Sequence, residues 1–481
     1  MHANGSYDYI IVGSGAGGCA AAYGLTRTGA RVLMIEKGDV LPRDGSTQDV
    51  DRVIRDGAFK SRETWLDGKS RKIVPEEYFN LGGKTKWYGA ALLRFSREEF
   101  ASDPAHGCLG WPISYDELAP YYDQAEALLG VRTFAPERAL SAMLGRMTGN
   151  GSRWQASPLP LGLASEIVEH RDEAAHFDGF ASVLGLKADA EQALLVKVRE
   201  QPNLRLVTGN PVVAFFSAAN SARRIAGVIC HNGARYEGKV VLLAAGAMHS
   251  PRLLQRHLED TGLAHHMPSY RVVGRNYKLH LLTAVLAFSH ARNDDLLRKT
   301  TLLLNASFPH SSVQPLGFDG DLIAGLIPRV VPRPLAHAMG TRAYGFFLQT
   351  EDGSSEQNRV VAAVNGGLPR LDYDPARLPA ARREHRRFVR SFRRALLRAG
   401  FPNGAESIPI TGTAHACGTL VAGTDRASSV VDADGRVHDM DNLYVVDGSV
   451  LPRSSKVNPS LTIYAWALRV TDRLASRGVI A

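Results

Sequence analysis

Three sets of residues in this chain have types and spacings suited to chemistry. His415 lies in the run TAHACGTLVAG, three residues before Gly418 and Thr419. It is either a satisfied core histidine beside Cys417 or a base. An imidazole titrates near neutrality, so it can take a hydroxyl proton without a metal. The second set is Gly13-x-Gly15-x-x-Gly18, followed by Glu36. Glycines at this spacing let backbone approach a phosphate, and the acid lies at the right distance for ribose hydroxyls. The third is Glu351, in FFLQTEDGSSEQNRV. It follows an apolar strand, and is either an auxiliary acid lining a substrate or a salt-bridged surface carboxylate. The four cysteines, Cys19, Cys108, Cys230 and Cys417, show no CxxC spacing, which argues against a zinc site or a disulfide framework.

The glycines need particular elements around them. In YDYIIVGSGAGGCAAAYGLTRTGARVLMIEKG, Tyr9 to Val12 reads as a buried strand, Ala20 to Thr28 as a helix, and Arg31 to Ile35 as a second parallel strand ending at Glu36. The first glycine permits the turn, the second the close approach of a pyrophosphate, the third tight helix–strand packing. The helix start then offers unpaired N–H groups to the phosphates. The expected dinucleotide contacts are Gly13, Gly15, Ala16, Gly18, Glu36 and Lys37. The acid favours FAD or NAD over NADP without separating the first two.

At 481 residues the chain should form two or three units, and 44% hydrophobic with 22% charged residues is ordinary for a globular protein. No apolar run approaches the ~20 residues of a membrane span. Strand-like residues begin at Tyr7, which leaves no room for a cleavable leader, so a cytoplasmic location is expected. Much of the net charge of +9 falls in RREHRRFVRSFRRALLR, Arg382 to Arg398. There Phe388, Phe392, Ala395 and Leu396 recur at helical spacing, which predicts a surface helix with a basic solvated face. Without an aromatic-interleaved or zinc module, no nucleic-acid partner is expected.

Further segments carry a family resemblance. NLGGKTKWYGA (Asn80 to Ala90), VVLLAAGAMHSPRLL (Val240 to Leu254), VGRNYKLH (Val273 to His280) and the closing pattern from His415 through NLYVVDGSVLP to VNPSLTIYAWALRVTDRLA resemble the glucose-methanol-choline (GMC) oxidoreductases. The resemblance implies an FAD-dependent enzyme that oxidises alcohols. It places Gly82, Gly83, Lys86 and Trp87 in a loop under the flavin, and Val212 against the adenine. It places Ala245 and Gly246 along the cofactor, and Asp447 and Gly448 near its ribityl and phosphate groups. Asn458, Pro459 and Ser460 open a helix whose positive end faces the flavin, which favours the reduced anionic form. His415 falls on the family's active-site base and Asn458 on its second catalytic position, although an asparagine before proline is also a natural helix start. His280 is expected to serve structure or the cofactor's surroundings. His249, His265, His266, His310 and His337 are expected to be bystanders. Pyranose oxidases of the family attach FAD to a histidine where this chain has Lys86, so noncovalent FAD is expected. The family's frequent CRMG is here Leu420-Val421-Ala422-Gly423.

The fold expected is α/β: a discontinuous Rossmann-like FAD domain (1–50, 78–105, 195–280 and 405–481) and a second domain on an antiparallel sheet (51–77, 106–194 and 281–404). Strands are expected at Leu204 to Val207, Leu281 to Phe288, Tyr344 to Thr350, Asn358 to Val364 and Leu443 to Val446. Within the family, KTKWYGAALLRF and the His–Asn pair lean toward bacterial pyranose-oxidase or glycoside 3-oxidase-like members. The expected substrate is a sugar or glycoside, oxidised at C3 or C2 of a glucosyl unit, with O2 or a quinone-like molecule as electron acceptor. Trp65, Trp87 and Tyr88 are candidates for a stacking wall, with Glu351 and Trp87 as substrate contacts. The alternatives are another alcohol (an aminoglycoside or a sterol), a non-redox hydroxynitrile lyase that keeps its FAD, and a non-catalytic flavin-binding protein.

Overall fold

The structure, a computed structural model, describes residues 6–149, 151–327, 330–363, 366–409, 411 and 415–478. Thr413 and Ala414, just before His415, lie outside the described residues, as does Val364 at the end of the expected strand from Asn358.

A seven-stranded sheet begins with Tyr7–Val12 at its centre. Its core residues are a nearly unbroken apolar run, as strands covered on both faces require. Val32–Ile35 lies parallel on one side, followed by Leu204–Val207, with Ile10 opposite Leu33. Arg235–Leu243 lies parallel on the other side. That long strand has two uses. Its start closes an antiparallel meander with Ser221–Cys230 and Val212–Ala218, and its end pairs in parallel with Leu443–Val445.

The first helix, Ala16–Thr26, starts four residues earlier than the expected Ala20. The reason is steric. A Cβ on Gly17 would stand 1.8 Å from the Val446 carbonyl oxygen, and one on Gly18 2.0 Å from that of Gly13. The glycines are therefore the helix's first turn, pressed onto the strand ends. The carboxy-terminal helix, Ser460–Ser476, packs across it, and the close approach at Gly24 brings in Thr471.

The second large sheet has six antiparallel strands in the order Asn403–Ser407, His280–Phe288, Ala343–Glu351, Ser311–Pro315, Thr301–Asn305 and Trp154–Pro158. Alternation divides its faces. Val285, Phe346 and Leu348 point to the helix Pro379–Arg398, where Phe388, Phe392 and Leu396 complete a core. Burying each such side chain contributes about 1.5–3 kcal/mol. All eight of the helix's arginines are exposed or half-buried, as the basic-face pattern predicts. The opposite face of the sheet carries Leu282, Gln314, Phe347 and Gln349, which look into a cavity. A small third sheet joins Arg359–Val361, Arg370–Asp372, Trp65–Asp67 and Lys72–Ile73.

Candidate active site

One cavity of about 880 Å³ runs from the glycine-rich turn to the second sheet. Of the residues expected to hold a dinucleotide, Gly13, Gly15, Ala16, Glu36, Lys37, Gly83, Trp87, Val212, Ala245, Gly246, Asp447, Gly448, Asn458, Pro459 and Ser460 all line it. Gly15 and Gly246 face open space: a Cβ on either would meet no protein atom within 4 Å. Gly15 caps the first helix without a side-chain hydrogen bond, and the first turn holds no acid, so its N–H groups are left for an anion. Glu36 accepts from the Ser14 amide and hydroxyl on one oxygen, and from the Gly38 amide on the other. The second oxygen keeps a lone pair for a ribose hydroxyl. These features fit FAD.

The structure revises several expected roles. Gly18 and Gly82 lie outside the lining; Gly82 instead donates its N–H to Ser14 Oγ. Lys86 is turned away from the cavity, because Asp189 (3.0 Å) and Glu191 (2.7 Å) hold its ammonium in a buried cluster. A buried cation without such partners would carry a heavy desolvation penalty. Asp447 accepts from Gly246 N and Ser250 Oγ on one oxygen, and from the amide and hydroxyl of Ser449 on the other. Its four acceptor positions are filled, so it clamps two cofactor loops together and has none left for a ligand. Trp87 is fixed by Tyr78, stacked at 4.9 Å, and by its N–H bond to Asn80. Trp65 lines nothing; it is fully buried in a cluster with Met248 and Tyr277. His249, expected to be a bystander, does line the cavity.

For Glu351 the salt-bridged alternative holds, but in the interior rather than at the surface, and the role of substrate-side acid falls. Glu351 is fully buried, and both its oxygens engage Arg453, at 2.9 and 2.6 Å. His310 adds a hydrogen bond at 3.1 Å, and against the penalty of burial the Arg453 guanidinium and this bond hold the carboxyl far below the usual range. It does not line the cavity.

His415 and Asn458 do meet, with Asn458 Nδ2 3.4 Å from His415 Nε2. Asn458 is not a cap; Pro459 occupies that position without a side-chain bond, and Gln314 donates to Asn458 Oδ1. Burial pushes the His415 pKa well below its ordinary value, and His280, Lys299 and Lys84 push the same way. Lys299 is itself paired with Asp178, at 2.9 and 3.0 Å. His280 Nδ1 lies 2.8 Å from His415 Nδ1. Neither Gln314 nor the contact of His280 with His415 was foreseen. A partial signal for Gln314 was available: in the short strand Ser311–Pro315, Ser312 and Gln314 flank Val313 and so share one face.

The four cysteines are free and buried. His106, Cys108 and His310 bring ligand atoms within 4.8 Å of one another. However, the two imidazoles stack at 3.7 Å with planes 16° apart, so their in-plane lone pairs do not converge on one ion. Among the described residues no helix is long and apolar enough to cross a membrane.

Comparison with known proteins agrees with this construction. Residues 7–282 and 357–467 match the two parts of the GMC oxidoreductase family, and the chain belongs to that family. It is 30% identical to 6'''-hydroxyparomomycin C oxidase of Streptomyces lividus and 29% identical to paromamine 6'-oxidase of Streptomyces fradiae. Each alignment covers 98% of this chain and 91% of the relative. These are aminoglycoside oxidases rather than pyranose or glycoside 3-oxidases. Among solved structures, pyridoxine 4-oxidase from Mesorbium loti shares the fold, with a TM-score of 0.70 at 22% identity over 97% of this chain and 99% of that one. The protein is an FAD-dependent oxidoreductase acting on alcohols.

Proposed function

We propose that this enzyme oxidises a hydroxyl group of a sugar-like molecule, with His415 as the base. One observation carries the reading: His415, Asn458, Gln314 and Gln349 face the same cavity as Gly15, Glu36 and Gly246. Bound FAD supplies the hydride acceptor. The chain's own residues do the rest. His415 is held unprotonated by burial, so it is ready to take the hydroxyl proton at neutral pH. The Asn458 amide hydrogen-bonds the same oxygen and fixes the direction of the carbinol C–H. Gln314 and Gln349 offer amides to further hydroxyls, while Leu282, Phe347 and Ile408 give an apolar wall for a ring face. The segments 51–77, 106–194 and 281–404 make most of this substrate side, joined by the end of the strand Asn403–Ser407 and by Ile408, and 1–50, 78–105, 195–280 and the rest of 405–481 make the FAD side.

An amino sugar is the first substrate class to test. The two Streptomyces relatives are named for such compounds, and Glu63, Glu76 and Glu77 line the cavity. Each of these acids is bound to a cation of the chain, Lys37, Lys60 or Lys84. Ammonium groups of a ligand would have to compete with those lysines. The second reading is a neutral glycoside oxidised at C3 or C2, which the uncharged Gln314–Gln349 wall favours. FAD is held noncovalently, since the residue at the tethering position, Lys86, is engaged by Asp189 and Glu191.

Anaerobic mixing of the holoenzyme with paromamine and with methyl glucoside tests this, following loss of the oxidised flavin's absorbance. Bleaching by either is expected, and product NMR identifies the carbon oxidised. No bleaching by any of a panel of sugars and alcohols would overturn the reading and favour a non-redox enzyme. Reoxidation by oxygen or by a quinone names the acceptor. Acid precipitation should release all the flavin.

A further inference from the structure

We propose that His280 is a positioning residue: it fixes the tautomer of His415 so that the Nε2 lone pair faces the cavity. The inference rests on the reading of His415 as the base and adds the reason it is poised.

The chain of hydrogen bonds admits one assignment. His280 Nε2 lies 2.7 Å from the carbonyl oxygen of Ser455. A carbonyl only accepts, so His280 Nε2 carries the proton. His280 is fully buried, and burial pushes its pKa down to about 4, so the ring is neutral at ordinary pH and its Nδ1 is bare. His415 Nδ1, at 2.8 Å, must then donate to it. A neutral imidazole has one proton, and in His415 it sits on Nδ1. His415 Nε2 is therefore left with its lone pair, on the edge of the ring that Asn458 adjoins at 3.4 Å. The reverse assignment would set two lone pairs against each other at Ser455.

The Ser455 carbonyl is itself held in place by an unusual backbone. Ser455 has φ = +67°, a conformation that side-chain-bearing residues seldom adopt. Its N–H donates to Glu351 Oε1 at 3.0 Å, and its hydroxyl to Glu99 Oε1 at 2.7 Å. Arg453 holds Glu351 from two sides, and the Lys456 N–H donates to Glu99. Strain maintained by this many partners is typical of functional sites. Glu351 thus acts at a distance: it fixes Ser455, which fixes His280, which fixes His415. On the other flank, Gln314 donates to Asn458 Oδ1, which turns the Asn458 NH2 toward His415.

A neutral histidine in this place differs from a carboxylate. It orients the base without adding a negative charge that would raise its proton affinity. When His415 Nε2 takes the substrate's hydroxyl proton, the Nδ1–H bond to His280 persists, and the ring need not turn. Loss of the correct tautomer in a serine protease triad lowers turnover about 10⁴-fold, which gives the scale of the effect.

The test uses FAD-loaded enzyme carrying ¹⁵N-labelled histidine, with His280→Leu, His280→Asn and His415→Ala variants. In the wild type, the resonances that vanish in His415→Ala should show a protonated Nδ1 and a bare Nε2. Anaerobic flavin reduction by the best alcohol of the panel should fall about 10²-fold or more in His280→Leu, with FAD content retained. His280→Asn puts an amide oxygen near the position of Nδ1, and should recover most of the rate. A wild-type His415 protonated at Nε2 would overturn the proposal even if His280→Leu failed to fold. So would His280→Leu reducing flavin at the wild-type rate while His415→Ala is slow. If His415→Ala also reduced flavin normally, the base reading itself would fail.

Discussion

The two ends of the cavity are built by different means. The nucleotide end is made of backbone: Gly13, Gly15, Gly17 and Gly18 bring helix, strand and ligand space together with almost no side chains. The end where the reaction is proposed is a chain of contacts made mostly by side chains, from Arg453 through Glu351 and the backbone of Ser455 to His280, His415 and Asn458. The first should fail when atoms are added, the second when they are removed.

The largest effect is expected at Gly17→Ala. The new Cβ would lie 1.8 Å from a backbone oxygen that cannot move without displacing the strand end. Little folded holoenzyme should be recovered, as judged by flavin content and circular dichroism. Next is Glu351→Ala, which strands Arg453 in the interior, where the loss of one partner of a buried pair costs about 3–5 kcal/mol. Urea denaturation should show it; a change under about 1 kcal/mol would contradict the account of this end.

Acid should weaken the reaction end first. His280, at about 4 in the folded protein against about 6.5 unfolded, binds fewer protons when folded. Its contribution is therefore fully present above about pH 6.5 and is lost as pH falls from there through 4, on the order of 3 kcal/mol. His385, between the hydroxyls of Thr283 and Thr350, is shifted the same way. The denaturation midpoint should drop between pH 6.5 and 4 in the wild type, and more gently in His280→Asn. The smallest effect discriminates best. Gly15→Ala adds a methyl that meets no protein atom, so stability of the FAD-free protein should stay within about 0.5 kcal/mol. FAD affinity should nevertheless fall about tenfold, roughly 1.4 kcal/mol, in a titration followed by flavin fluorescence.

This contrast also explains what could be read from sequence. The nucleotide end is local: strand, glycines, helix, strand and acid follow one another within about thirty residues, so periodicity and turn chemistry reveal them. Even there, the helix start was misplaced, because close packing against Val446 is not a local property. The reaction end joins residues far apart in the chain. Whether Glu351 was a substrate-side acid or a salt-bridged carboxylate stayed open, because Arg453, 102 positions away, is invisible to local patterns. Lys86 looked like a cofactor contact because Asp189, 103 positions on, could not be seen to pair with it. His280 and Gln314 acquire meaning only through the partners that the antiparallel sheet brings to them. His415 and Asn458 were legible because they fall within a recognisable closing pattern, not because their spacing showed a contact.

One rapid-mixing measurement decides whether His415 is the base of an alcohol oxidation. His415→Ala, loaded with FAD to the wild-type level, is mixed anaerobically with the alcohol that bleaches the wild type fastest. If His415 is the base, flavin reduction should slow about 10²–10⁴-fold, with cofactor still bound. Reduction at the wild-type rate would contradict that role.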